Sequence, residues 1–378
     1  MDSRLNTPQI ARAVQALNLS YDDLARRLEV LPAALTQWLS GEAFPAANRL
    51  LKLSFILNMS FDDMVVSSSP KLPEPVVAYR RKAQKKTTEV EMELARTKGR
   101  LLRPLAKYLG NRPVNSATFG NPSTGYDYIQ QVVSDLRKSL GVPDEAIISY
   151  GNLIAKFNEL GAILVPVMWG ERDTHGNALH ILLPECNATW VYLNLDANVC
   201  DFNFWMAHEL AHVFTPQLAG SVEGEDFADA FAGALLFPRA CAARLYHQLA
   251  GKQEGAVVNL IKAVAKERVI SPYTVYLAVN NYARHNRLPI FKFTIFGAMI
   301  NFAKQFSSVT SLLFPHGTPD ATTYITSTKS AFITPFFDIV AHCLRDSANG
   351  PGWLADMLET SILDAKEIYL ALGGEPHQ

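Results

Sequence analysis

The chain has 378 residues, with 35 lysines and arginines against 36 aspartates and glutamates, a formal net charge of -1. That balance excludes a global pull toward nucleic acid or an anionic membrane, so any such affinity has to come from a local patch. A hydrophobic share of 48% supports packed cores, and the length suggests two or three domains.

The opening, MDSRLNTPQ, has neither the basic region nor the apolar core of a signal peptide, so a mature protein starting here is expected. Residues 1–66 read as short amphipathic helices punctuated by Asn18, Gly41 and Pro45. A Ser/Pro-rich stretch, SSSPKLPEP at 67–75, cannot hold a helix and begins a basic linker or helical connector, 67–110. Between 80 and 107 it carries Arg80, Arg81, Lys82, Lys85, Lys86, Arg96, Lys98, Arg100, Arg103 and Lys107 against only Glu89, Glu91 and Glu93. Such a run is either a solvated helix face or a patch for nucleic acid or an acidic partner.

A mixed region, 111–289, follows. Helical spacing covers 126–140 and 149–160, and Gly161 ends the second helix before a β-branched run, 162–168, that reads as a buried strand. The segment 180–195, HILLPECNATWVYLNL, predicts a hairpin around a Pro-Glu-Cys-Asn-Ala turn. Helices are predicted over 203–214 and 225–236, and helical spacing returns from 240 to 283. The last region, 290–378, has apolar segments and Gly/Pro turns without a chemical motif. Its most apolar stretch, 293–303, falls well short of the roughly 20 residues a bilayer span needs. Four cysteines, Cys186, Cys200, Cys241 and Cys343, are scattered without a C-x-x-C spacing, which suits reduced, buried thiols in a cytoplasm. The expected fold is mainly α with a small β-sheet.

The chemistry-bearing stretch is Trp205-Met206-Ala207-His208-Glu209-Leu210-Ala211-His212-Val213-Phe214. His208 and His212, at i and i+4, project from one helix face about a turn apart, so their imidazoles can converge on one tetrahedral zinc. Glu209, one residue after the first histidine, is placed to take a proton from a zinc-activated water and deliver it to a leaving amine. The five-residue pattern is short enough to arise by chance, so its surroundings matter. In the next helix Glu225, Ala228, Asp229 and Ala232 share a face, and the small alanines let it approach the first helix closely. Glu225 is the candidate third ligand, with Glu223 and Asp226 as competitors. Asp229 is placed to bond the second nitrogen of a liganding histidine, or else is an ordinary aspartate near a helix start.

Four segments resemble the ImmA/IrrE family of metallopeptidases: DLRKSLGV, NLIAKFNELGAILVPV, WMAHELAHVF and EDFADAFAGALLFP. The last is similar to the family's E-x-x-A-N-x-F-A-x-x-L-L-M-P, with Asp229 where Asn is commoner, and the link from 215 to 224 is short. The resemblance runs over about 126–288, including ISPYTVYLAVNNYARHNRL, similar to the family's small helical tail. It implies a zincin-like α+β peptidase domain that uses Zn2+ to cut a repressor or other regulatory protein, in stress responses or mobile-element control.

The first region, SYDDLARRLEVLPAALTQWLSGEAFPAANRLLKLSFILNMSFDDM, resembles the Xre/Cro-type helix-turn-helix. Leu24 and Ala25 point inward, Val30 precedes the recognition helix, and Leu35 and Trp38 pack. Where the family usually places Ser, Arg or Thr, this chain has Leu31, Pro32, Ala33 and Ala34. Only Thr36 and Gln37 remain as base readers, so DNA binding competes with a docking surface for a protein. Any other DNA affinity is expected from Arg80, Arg81 and Lys82.

Two functions are therefore expected. The first is a zinc endopeptidase that cleaves a regulator; the second is a DNA-binding or antitoxin-like regulator whose peptidase fold senses or binds a partner. His175, His180 and Tyr192 are possible oxyanion helpers, against a structural role for each. Residues 290–378 are expected to restrain or sense, and Cys186 or Cys200 is a further option as a thiolate gate on the zinc.

Overall fold

The computed structural model describes residues 3–67, 72–79, 89–110, 118–169 and 178–374. Chain contacts divide it into two compact units, Met1–Leu72 and Pro73–Gln378. It is mainly helical, with a four-stranded mixed sheet and a two-stranded sheet, the class expected from the sequence.

In the first unit α1 (Thr7–Ala16), α2 (Tyr21–Leu28), α3 (Pro32–Ser40), α4 (Ala47–Leu57) and α5 (Phe61–Met64) surround a core of Ile10, Val14, Leu24, Ala25, Leu28, Leu35, Leu53, Leu57 and Met64. The Ser20 and Ser60 hydroxyls accept the amides of Asp23 and Asp63, capping α2 and α5. Glu29 and Gly41, both with positive φ, end α2 and α3, so a three-residue link joins the helix pair. Strands β1 (Ser3–Leu5) and β2 (Val65–Ser67) tie the two ends of the unit together as an antiparallel pair.

The second unit is built on β3 (Val76–Tyr79), β4 (Ile163–Val167), β5 (Ala178–Leu183) and β6 (Ala188–Asn194), in the order β3-β5-β6-β4. β5 and β6 are the predicted hairpin, turned at Asn187, whose φ of 49° an Asn side chain tolerates. β4 runs parallel to β6. The central strands are buried on both faces, so they read as apolar runs rather than as alternation.

Helices α6 (Glu89–Leu102), α7 (Tyr126–Ser139) and α8 (Tyr150–Glu159) precede or interrupt the sheet, and α9 (Val199–Phe214) and α10 (Val222–Leu236) follow it. Then come α11 (Arg239–Leu249), α12 (Glu254–Arg268) and α13 (Pro272–His285). The chain ends with α14 (Phe296–Ala303), α15 (Val309–Leu313), α16 (Ala321–Phe332), α17 (Phe336–Asp346), α18 (Pro351–Leu358) and α19 (Ile362–Ala371).

Register fixes which residues share a face. His180 lies opposite Val191 and Ala78, on the face toward α9, while Ile181, Trp190 and Tyr192 point to the other face. There Trp190 meets Phe336 of α17 edge-on at 6.4 Å, and Ile181 comes close to Gly99 of α6. Residues from both sides of positions 110 and 289 share this one core, from Val77 to Tyr369. The stretch read as a connector thus supplies a sheet strand and a packed helix. Among the described residues no helix is long and apolar enough to cross a membrane.

Candidate metal centre

α9 starts at Asn198, whose side chain accepts the Cys200 amide, and it is buried from Met206 to Phe214. A helix apolar on nearly every side belongs inside a core, so His208, Glu209 and His212 are only 1%, 4% and 1% exposed. α10 starts at Ser221, whose hydroxyl accepts the Gly224 amide, and Glu223 and Glu225 in its first turn suit the positive end of the helix dipole. Fully buried Ala207 and Ala211 on one helix and Ala228 and Ala232 on the other let the two lie against each other.

This packing brings His208, His212 and Glu225 together as a group that could hold a metal ion, their ligand atoms all within 4.8 Å of one another. The two Nε2 atoms are 3.2 Å apart. His208 Nε2 is 3.3 Å from Glu225 Oε2, and His212 Nε2 is 3.4 Å from Glu225 Oε1. Ligand atoms held tetrahedrally at about 2.0–2.2 Å from a zinc stand about 3.3–3.5 Å from one another. The residues present therefore fit such an ion, and the arrangement is compatible with a zincin-like site. Glu223 and Asp226, the competing carboxylates, are exposed and outside the group.

Asp229 Oδ1 lies 3.1 Å from His208 Nδ1, the ring nitrogen that faces away from the group. Trp205 stands edge-on to His208 at 5.5 Å, with Phe204 at 6.4 Å. These two aromatic neighbours were missed from sequence, although their i to i+3 and i to i+4 spacing to His208 is the signal that would have found them. Glu209 Oε2 is buried and has no hydrogen-bond partner among the described residues.

Electrostatics separates the two glutamates. Burial pushes Glu209 up to about 8, with Glu225 adding to the effect and His208 opposing it. Burial also acts on Glu225, but the hydrogen bonds and charges of His208 and His212 outweigh it and hold that carboxyl well below its ordinary range. For His208, burial disfavours the charge, yet Asp229 and Glu225 lift it to about 9. Burial lowers His212. Without a metal, one positive charge therefore sits on His208 beside the Glu225 carboxylate.

The other candidates fall elsewhere. Tyr192 is stacked on Trp169 on the sheet face away from α9, so it cannot reach a reacting carbonyl at this centre. His180 is on the correct face but 1% exposed beneath His212, which rules out contact with a bound substrate. Burial pushes its ring down to about 3. Cys186 sits in the exposed hairpin turn, and Cys200 is two helical turns, about 12 Å, before His208. Neither thiol joins the group, so the thiolate gate is discarded. His175, Arg80, Arg81 and Lys82 lie outside the described residues.

Thr36 and Gln37 are exposed on α3, where the Thr36 hydroxyl donates to Pro32 O. Farther along the basic run, Arg96 pairs with Glu89 and Glu93, Lys98 with Glu359, Arg100 with Glu74 and Glu93, and Arg103 with Glu185. These four cations are engaged within the fold. No family model, curated protein or solved structure matches the chain.

Proposed function

We propose that the chain is a zinc-dependent peptidase centred on His208, His212, Glu225 and Glu209. One observation carries this reading: two buried imidazole nitrogens and a carboxylate stand at tetrahedral separations, with a second buried carboxylate one residue after the first ligand. Bound there, zinc would supply Lewis acidity and bring the acidity of a water near neutrality. Glu209 takes a proton from the attacking water and passes it to the leaving amine. Asp229 accepts from His208 Nδ1, which fixes the tautomer that leaves Nε2 free to ligate. Glu225 completes the set as an anion.

The motif resemblance to ImmA/IrrE peptidases supports a regulatory protein, a repressor above all, as substrate, in a bacterial or phage stress or mobile-element response. The first unit then serves to dock a partner. Residues 3–67 carry six arginines and lysines against six carboxylates, and α3 opens on Leu31, 76% exposed. A surface of that kind suits a protein better than a phosphate backbone. The rival reading, a DNA-binding regulator, draws on the exposed Thr36 and Gln37. A gel-shift series separates them: sequence-selective binding that vanishes in the Thr36→Ala, Gln37→Ala double variant favours the regulator.

The central test is metal content. Purified protein is expected to carry one zinc per chain, to lose it and its cleavage of a protein substrate on chelation, and to regain both on adding zinc. Protein that holds no zinc at neutral pH overturns the peptidase reading.

A further inference from the structure

The two ligand histidines differ in what holds them. His208 has Asp229 at its Nδ1, whereas His212 Nδ1 is buried and has no hydrogen-bond partner among the described residues. Beneath it lies His180, 1% exposed, its ring centroid 5.8 Å from that of His212 with the planes at 42°. Both His180 ring nitrogens are also without a partner among the described residues. Its cross-strand neighbours, Ala78 and Val191, have no polar side chains.

Three ring nitrogens on this neighbouring pair of rings are thus buried without a partner among the described residues, and a buried polar atom left unpaired is costly. A buried water making about three hydrogen bonds is the usual resolution at such a spot. A histidine on a strand between two apolar residues has no packing advantage over leucine, so its presence at this position points to a polar task.

We propose that His180 is a positioning residue for the metal centre. Through one buried water it engages His212 Nδ1 and holds His212 Nε2 toward the ion, the part Asp229 plays for His208. The Nδ1 proton of His212 donates to the water, and the water donates to the unprotonated nitrogen of His180. The inference rests on the zinc reading above.

The test uses the full chain as wild type, His180→Leu and His180→Asn, with zinc affinity measured by chelator competition and unfolding temperature measured without metal. His180→Leu is expected to weaken zinc by about 10–100-fold, while the metal-free protein still unfolds cooperatively near the wild-type temperature, because leucine suits a buried strand position between Ala78 and Val191. His180→Asn, which can still bond the water, is expected to recover most of the affinity. Equal affinity in wild type and His180→Leu overturns the proposal, and so does an equal loss in both variants, which reports shape alone. Nitrogen NMR of the zinc-loaded wild type gives a readout independent of variant folding: a slowly exchanging proton on His212 Nδ1 is expected, and free exchange there overturns the proposal. Wild type without stoichiometric zinc sinks the metal reading itself, an outcome visible before any variant is made.

Discussion

Glu209 and Glu225 are the same side chain in one buried neighbourhood, and their surroundings drive them apart. Burial raises Glu209 to about 8, while two histidines hold Glu225 ionised; on the zinc-peptidase reading proposed above, such a divergence suits one carboxylate to proton transfer and the other to ligation. Glu209→Gln is therefore expected to keep zinc and lose about 10²–10⁴-fold in cleavage rate, whereas His208→Ala, His212→Ala or Glu225→Ala loses the metal. Full activity in Glu209→Gln sinks the mechanism, and a spectroscopic zinc titration reads the ligand variants. The same groups set a pH dependence. His208, raised from 6.5 to about 9, favours the metal-free fold below 6.5, and that contribution is lost as pH rises through 9. Glu209, raised from 4.5 to about 8, likewise contributes below 4.5 and loses its effect as pH passes 8. Glu225, depressed, contributes above 4.5 and fades only in acid. Zinc needs deprotonated ligands, so its affinity rises over the interval in which the metal-free form weakens. The gap in unfolding temperature between zinc-loaded and chelated protein should widen from pH 6 to pH 8; a constant gap contradicts these protonation states.

At the scale of elements, α9 and α10 were legible because each is long and carries its chemistry on one face, although their first turns were missed. Asn198 and Ser221 supply the caps that start them, upstream of where the apolar spacing becomes visible. β5 and β6 were legible as a local hairpin. β3 was not, since four residues after a Pro-Glu-Pro run give no period to read, and its partner β5 lies about a hundred residues on. β1 and β2 escaped for the same reason: the pair joins the two ends of a unit, and such pairing has no local signature. Gly224 packs closely against the link that joins the two site helices. A Cβ there would meet Leu218 O at 2.3 Å, backbone that cannot swing aside. Glycine to alanine within a helix ordinarily stabilises by roughly 0.5–1 kcal/mol; here Gly224→Ala is expected to destabilise by about 1–3 kcal/mol and to weaken zinc, because Glu225 is the next residue. Thermal unfolding with and without zinc reads both effects, and a stabilised Gly224→Ala contradicts the packing.

At the scale of the whole molecule, residues 290–378 were opaque in sequence for want of a motif, and their expected part was restraint or sensing. Their contacts give them a structural part. Strand β4 is a sheet edge that includes Pro166, and an edge left open invites pairing with other chains. Two of its carbonyls are met by this region: the Thr334 hydroxyl donates to Leu164 O and the Tyr324 hydroxyl to Pro166 O, each at 2.5 Å. Phe336 covers Trp190, and Trp169 Nε1 donates to Leu358 O. At the other end of the strand-to-helix connection, the Asn198 side chain donates to Ala303 O and Phe306 O, and Thr310 Oγ1 donates to Asp196 Oδ1. The segment that launches the helix carrying His208 and His212 is thus held by the last quarter of the chain. Cutting at 290 strips a sheet face, an edge and this anchorage together; the Trp190–Phe336 pair alone is worth about 0.5–1.5 kcal/mol beyond the area it buries, and the apolar side chains uncovered with it add to that loss, against the roughly 5–15 kcal/mol typical of a whole domain. Residues 73–289 made alone are therefore expected to aggregate, with neither cooperative unfolding nor stoichiometric zinc, while 73–378 folds and binds zinc. A 73–289 fragment that stays monomeric, melts cooperatively and holds zinc would return residues 290–378 to the role of a dispensable regulator.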